Sequence, residues 1–159
     1  MNRRRGQQSG VTLIEMLIVV AIIGLIAGIS FPSISAGLDT LRLRSAADSI
    51  VNGFNSALIR ADRRQVAVEF RIDKLNNKIL FASADPGYFR EIHLPDGVSI
   101  ERVLPVIPNL DENLPRQYLI HPGGTIPRIG VAIINRRMTR RLVMVDPISG
   151  TAQLIALTE

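Results

Sequence analysis

A chain of 159 residues has room for one ordinary domain plus one extra element. The absence of cysteine excludes disulfides and thiolate metal sites, and the two histidines, His93 and His121, stand in no ligand or triad spacing and read as structural residues. The formal charge of +5 includes Arg3, Arg4 and Arg5, so the remainder is only mildly basic and its bulk charge does not point to a nucleic-acid partner.

Residues 1–10 read as a short basic leader. Residues 11–31, VTLIEMLIVVAIIGLIAGISF, then form an unbroken apolar run with one charge, Glu15. About 20 apolar residues span a hydrocarbon core, so the run predicts a transmembrane helix. The arginines ahead of it belong on the cytoplasmic side, which places everything after Pro32 outside the cytoplasm. An ordinary cleaved secretory signal has a core of only about 7–15 residues. A plain single-pass anchor leaves Glu15 unexplained, because an acidic residue within the span costs roughly 2.5–3.5 kcal/mol and such residues have partners. A cut between Gly10 and Val11 creates an ammonium one helical turn from Glu15. In a staggered array of such helices, the ammonium of one subunit meets the carboxylate of its neighbour. Gly24 and Gly28 form a small-xxx-small pair suited to close helix packing. Pro32 removes the hydrogen bond to the Gly28 carbonyl and predicts a kink or local melting over 28–32.

After Pro32, Leu38, Leu41, Ala46, Ile50, Phe54, Ala57, Leu58 and Ala61 recur at spacings of three and four, predicting an amphipathic continuation of the helix over 32–63. Alternation then predicts strands over 65–72, 78–83, 89–94, 98–103, 118–121, 129–134, 142–145 and 153–157, with a turn at Asn76-Asn77 and a surface loop over 105–115. One long helix followed by a run of strands indicates an α+β architecture, with a C-terminal β-rich domain over 64–159 packed on the helix.

No catalytic constellation is legible, and no enzyme activity or cofactor is expected. Gly123-Gly124 lacks the lysine and serine or threonine of a phosphate loop. Asp85, Asp96 and Asp111 have no EF-hand spacing and read as turn formers rather than calcium ligands. Arg136, Arg137, Arg140 and Arg141 crowd the link between two predicted strands and predict a hairpin tip bearing four positive charges. Such a tip suits DNA phosphates, a solvated hairpin or a subunit contact, and no aromatic residue stands within it for base stacking.

The segment Gly10-Val11-Thr12-Leu13-Ile14-Glu15, behind its arginines and ahead of Pro32, resembles the type IV prepilin signal, in which a glycine ends the leader and a glutamate is fifth in the mature chain. Val11 stands where the family carries phenylalanine. The resemblance implies cleavage after Gly10 by a membrane prepilin peptidase, methylation of the new Val11 amino group, and intersubunit charge pairing at Glu15. It also sharpens the fold expectation to a type IV pilin-like one.

Further along, His121-Pro122-Gly123-Gly124-Thr125, Asp146-Pro147-Ile148-Ser149-Gly150 and the segments around Ser56–Arg60 and Arg63–Val66 are similar to the GspH/FimT group of minor pseudopilins and minor pilins. This implies a single-pass inner-membrane protein with a periplasmic domain, in a type II secretion pseudopilus. Its partners would be other pseudopilins or pilins, the prepilin peptidase, the inner-membrane assembly platform and the lipid bilayer. The alternative is a FimT-like minor pilin for pilus assembly or DNA uptake, binding DNA through the arginine hairpin.

Overall fold

The computed structural model describes residues 11–83, 85, 87–123, 126 and 128–155, apart from the side chains of 30–34. The leader with Gly10, the Pro32 side chain, Gly124, Thr125 and residues 156–157 of the last predicted strand lie outside it.

Helix α1, Leu13–Arg64, runs 52 residues. Its start is capped by Thr12, whose hydroxyl and carbonyl both accept from the Glu15 amide, at 3.3 and 3.1 Å. Its last turn carries Arg63 and Arg64, which offset the negative end of the helix dipole. Gln65 ends it in the left-handed region, at φ 55°, and its side-chain amide donates to the Asp62 carbonyl at 2.7 Å. Of the kink or local melting expected over 28–32, local melting does not occur, since α1 is continuous through those positions. A proline deletes one bond of the ladder, and the bonds on either side suffice to carry a long helix through it.

The chain divides into two compact units, Met1–Gly37 and Leu38–Glu159. In the first, every described side chain over 11–29 is exposed. The second combines the rest of α1 with eight strands: β1 Val68–Asp73, β2 Lys78–Ser83, β3 Phe89–His93, β4 Val98–Leu104, β5 Arg116–Ile120, β6 Gly130–Asn135, β7 Arg140–Val145 and β8 Ala152–Ile155. They form two four-stranded antiparallel sheets, ordered β3-β2-β1-β5 and β4-β6-β7-β8.

One core joins α1 to both sheets. Leu43, Ala47, Ile50, Phe54, Ala57 and Ala61, with Ala46 beside them, form the buried stripe of α1. Leu38 and Leu41, expected on that stripe, are instead 48% and 63% exposed. Leu41 precedes Leu43 by two residues, about 200° around the helix, so both cannot face the same sheet. Phe54 meets Phe70 and Phe81 edge-on, at centroid distances of 5.0 and 5.4 Å, and Phe70 stacks on Tyr118 at 5.1 Å. Gly53 lets α1 approach the first sheet, since a Cβ there would stand 2.6 Å from Ile92 Cδ1 and 2.9 Å from the Phe81 ring.

Candidate functional site

The first unit presents an apolar surface around one acid. Leu13, Leu17, Leu25 and Ile29 are all more than half exposed, and an added Cβ at Gly24 or Gly28 meets nothing within 4 Å. A helix apolar on every side belongs in lipid or among other helices. No helix among the described residues is long and apolar enough to cross a membrane. The side chains of 30–34 fall outside that count, whereas the apolar run of the sequence continues through Phe31. Glu15 lies in the first turn of α1, where its charge favours the positive end of the helix dipole, and no cation pairs with it among the described residues. Val11 precedes the helix by two residues, so an amino group there lies about one turn from Glu15.

The arginine cluster is less basic than its sequence. Arg136 and Arg137 sit at the β6–β7 tip, whereas Arg140 and Arg141 belong to β7 itself, which corrects the expected four-charge tip. Buried Asn135 shapes the tip, its side-chain oxygen accepting from the Arg137 and Thr139 amides at 3.0 and 2.9 Å. Arg140 Nε lies 2.9 and 3.1 Å from the two Glu101 oxygens, and Arg137 Nε lies 3.7 Å from Asp39. Two of the four charges are therefore met by acids of β4 and α1. The Arg136 side chain lies across Gly97, where a Cβ would meet its Nε at 3.0 Å.

Both C-terminal turn motifs attach to the helix end. The Gly123 amide, at φ 59°, donates to Asp62 Oδ1 at 3.0 Å. Between β7 and β8, Asp146 accepts from the Ile148 amide at 3.0 Å and the Ser149 hydroxyl at 2.8 Å, and these bonds hold its carboxyl below the usual range. Gly150, at φ 68°, closes that turn where a Cβ would stand 3.1 Å from Leu58. Asn55 pairs with β8 as a strand would, accepting from the Ala152 amide at 2.8 Å and facing its carbonyl at 3.5 Å.

Sequence reasoning missed Arg116. It is 7% exposed and its Nη1 donates to the Val103 and Pro105 carbonyls at 2.9 and 2.7 Å, closing the base of the 105–115 loop. Its composition gives no signal, because both acceptors come from a preceding strand end. Lys74 reaches the same loop at Glu112, 3.2 Å away. Hydrogen bonds to a charged group contribute about 1.5–3 kcal/mol. Arg116→Met is therefore expected to lower unfolding stability by about that much and to speed proteolytic cleavage within 105–115; unchanged denaturation and cleavage would remove the bracing role.

His93 lies on the surface 3.3 Å from Glu91, and His121 is also exposed. Asp85 pairs with Arg60 at 2.9 Å, while Asp111 accepts from the Asn113 amide. Among the described residues, no three side chains of metal-ligating type cluster.

Residues 2–31 match the prokaryotic N-terminal methylation motif. The chain carries a prepilin-type methylation motif. Behind that motif stands a pseudopilin fold. Two solved structures of the minor pseudopilin EpsH from the type II secretion system of Vibrio cholerae resemble it, each with a TM-score of 0.56. They are 17% and 16% identical and cover 74% of this chain, with 99% and 96% of their own length matched. No curated protein sequence matches the chain significantly. The helix followed by antiparallel sheets is thus a type IV pilin-like α+β fold.

Proposed function

We propose that the chain is a minor pseudopilin of a type II secretion system, a structural subunit of a periplasmic pseudopilus that helps export folded proteins. The observation that carries this reading is the union, in one chain, of a methylation motif over residues 2–31 and a fold shared with EpsH. Residues 11–31 anchor the precursor in the inner membrane as a single pass, with the β-rich domain on the periplasmic side. A prepilin peptidase cuts after Gly10 and the Val11 amino group is methylated. The freed helix leaves the bilayer into a bundle of similar helices, where Glu15 accepts a neighbour's amino terminus. The role is assembly, with no bond made or broken by this chain. Full-length protein extracted in mild detergent is expected to co-purify with sister pseudopilins and the assembly platform. Recovery only with pilus components would replace secretion by a pilus role.

The pairing of Arg137 and Arg140 with acids weighs against DNA uptake. Each phosphate neutralised contributes a slope of about −0.9 to log K against log salt, so Arg136 and Arg141, the two members of this cluster outside those pairs, support only a shallow dependence. Titrating duplex DNA into the full chain at two salt concentrations is expected to give equally weak binding for the parent and for a variant with alanine at 136, 137, 140 and 141. Tight, steeply salt-dependent binding by the parent, lost in the variant, would restore the uptake reading.

A further inference from the structure

At the C-terminal end of α1, a cavity of about 580 Å³ is lined by Ser56, Ile59, Arg60, Arg63, Arg64 and Tyr88. Among the described residues its lining holds three arginines and no acid. The Arg60 guanidinium lies over the Tyr88 ring, 4.5 Å from the centroid, and donates through Nη2 to Asp85 at 2.9 Å. Among the described residues, five buried side-chain polar atoms lack a hydrogen-bond partner, and two of them, Arg60 Nε and the Tyr88 hydroxyl, belong to this one lining.

Both orphans can donate, and Arg60 Nε can do nothing else. A guanidinium nitrogen has no lone pair to offer, and burial raises the Tyr88 pKa, against the opposing pull of Arg90 and Arg60, so its hydroxyl keeps its proton. What two such donors lack is an acceptor, and Arg63 and Arg64 favour a negatively charged one. Helix-dipole compensation accounts for Arg63 and Arg64 at the end of α1. It does not account for the orphaned hydroxyl or Nε.

We propose that this cavity is an oxyanion site that takes a carboxylate carried on an apolar stem, namely an acidic side chain of a partner protein. The planar guanidinium suits the two oxygens of a carboxylate. Ile59, half exposed, and the Tyr88 ring give the stem an apolar wall, and the cavity is of the size that accepts a whole side chain rather than a lone ion. The site is separate from Glu15 in sequence and in chemistry, so either can fail without the other.

The test is thermal unfolding of the full chain in detergent with glutarate, inorganic phosphate or sodium chloride at matched ionic strength. Ligand binding to the folded state raises the melting temperature with ligand concentration. Glutarate is expected to raise it above both other salts. Arg63→Gln with Arg64→Gln, exposed positions whose change costs only the small helix-dipole term and so lowers melting slightly in every salt alike, should weaken apparent glutarate affinity about tenfold relative to the same variant in chloride. Tyr88→Phe should also weaken it, without loss of stability in chloride because the orphaned hydroxyl is gone. A glutarate shift no larger than that of chloride, a shift from phosphate alone, or an undiminished glutarate response in these variants overturns the proposal.

Discussion

Glu15→Ala should insert in the membrane and be cleaved as the parent is, yet fail to assemble. Alanine removes a carboxylate that costs roughly 2.5–3.5 kcal/mol within a membrane span, so insertion becomes easier rather than harder. In a bundle of helices the same change leaves a neighbour's amino terminus buried without its counter-charge. Breaking a buried ion pair from one side costs about 3–5 kcal/mol, which is a hundredfold or more in association. The capping of α1 does not compensate, because the Thr12 bonds go to the backbone amide of residue 15 and survive the substitution. Cross-linking of membranes from cells carrying the variant should show monomer where the parent shows ladders with its sister subunits. Ladders of parental intensity would mean that Glu15 serves only its own helix end.

Phe70→Ala should lower the stability of the folded domain by about 3–5 kcal/mol, the range for deleting a fully buried aromatic ring. Phe70 is the hinge of the core: its ring touches Phe54 of α1, Phe81 of β2 and Tyr118 of β5, so one truncation opens a void shared by the helix and three strands. Neighbours on separate elements cannot all collapse into that space, which keeps the expected cost near the upper end. The control is Phe89→Ala on β3, where the ring is exposed and the change should stay within about 0.5 kcal/mol. Urea denaturation of both variants decides the matter; a loss at Phe70 no greater than at Phe89 would deny that the rings hold helix and sheet together.

Local patterns carried most of the architecture. The strand over 78–83 was legible to its ends because the Asn76-Asn77 turn precedes it, and Asn77 does adopt a left-handed conformation at φ 49°. The Asp73 carboxyl beside that turn is held below its usual range by the Asn76 side-chain amide. The helix was legible as a helix, but its buried stripe was misplaced at its start. Leu41 and Leu43 are equally apolar, and only the fixed spacing back from Ile50 through Ala47 selects Leu43.

What the sequence could not show depends on partners distant along the chain. Glu101 lies 39 residues before Arg140, and their pairing changes a basic hairpin into a partly neutralised one. Arg116 drew no reading from the sequence, because the carbonyls that bury it, at Val103 and Pro105, gave no local sign. Asn55 stands in for a strand 97 residues away. The GspH/FimT-like turns were visible as motifs, while their docking against Asp62 and Leu58 emerged only from the folded chain.

The most direct test of the whole reading is mass spectrometry of the chain purified from its native membrane. The account predicts an N-terminal peptide beginning at Val11 with a methylated amino group. A chain still starting at Met1, or one trimmed beyond Phe31, would contradict the account, leaving Glu15 without the amino terminus proposed as its partner.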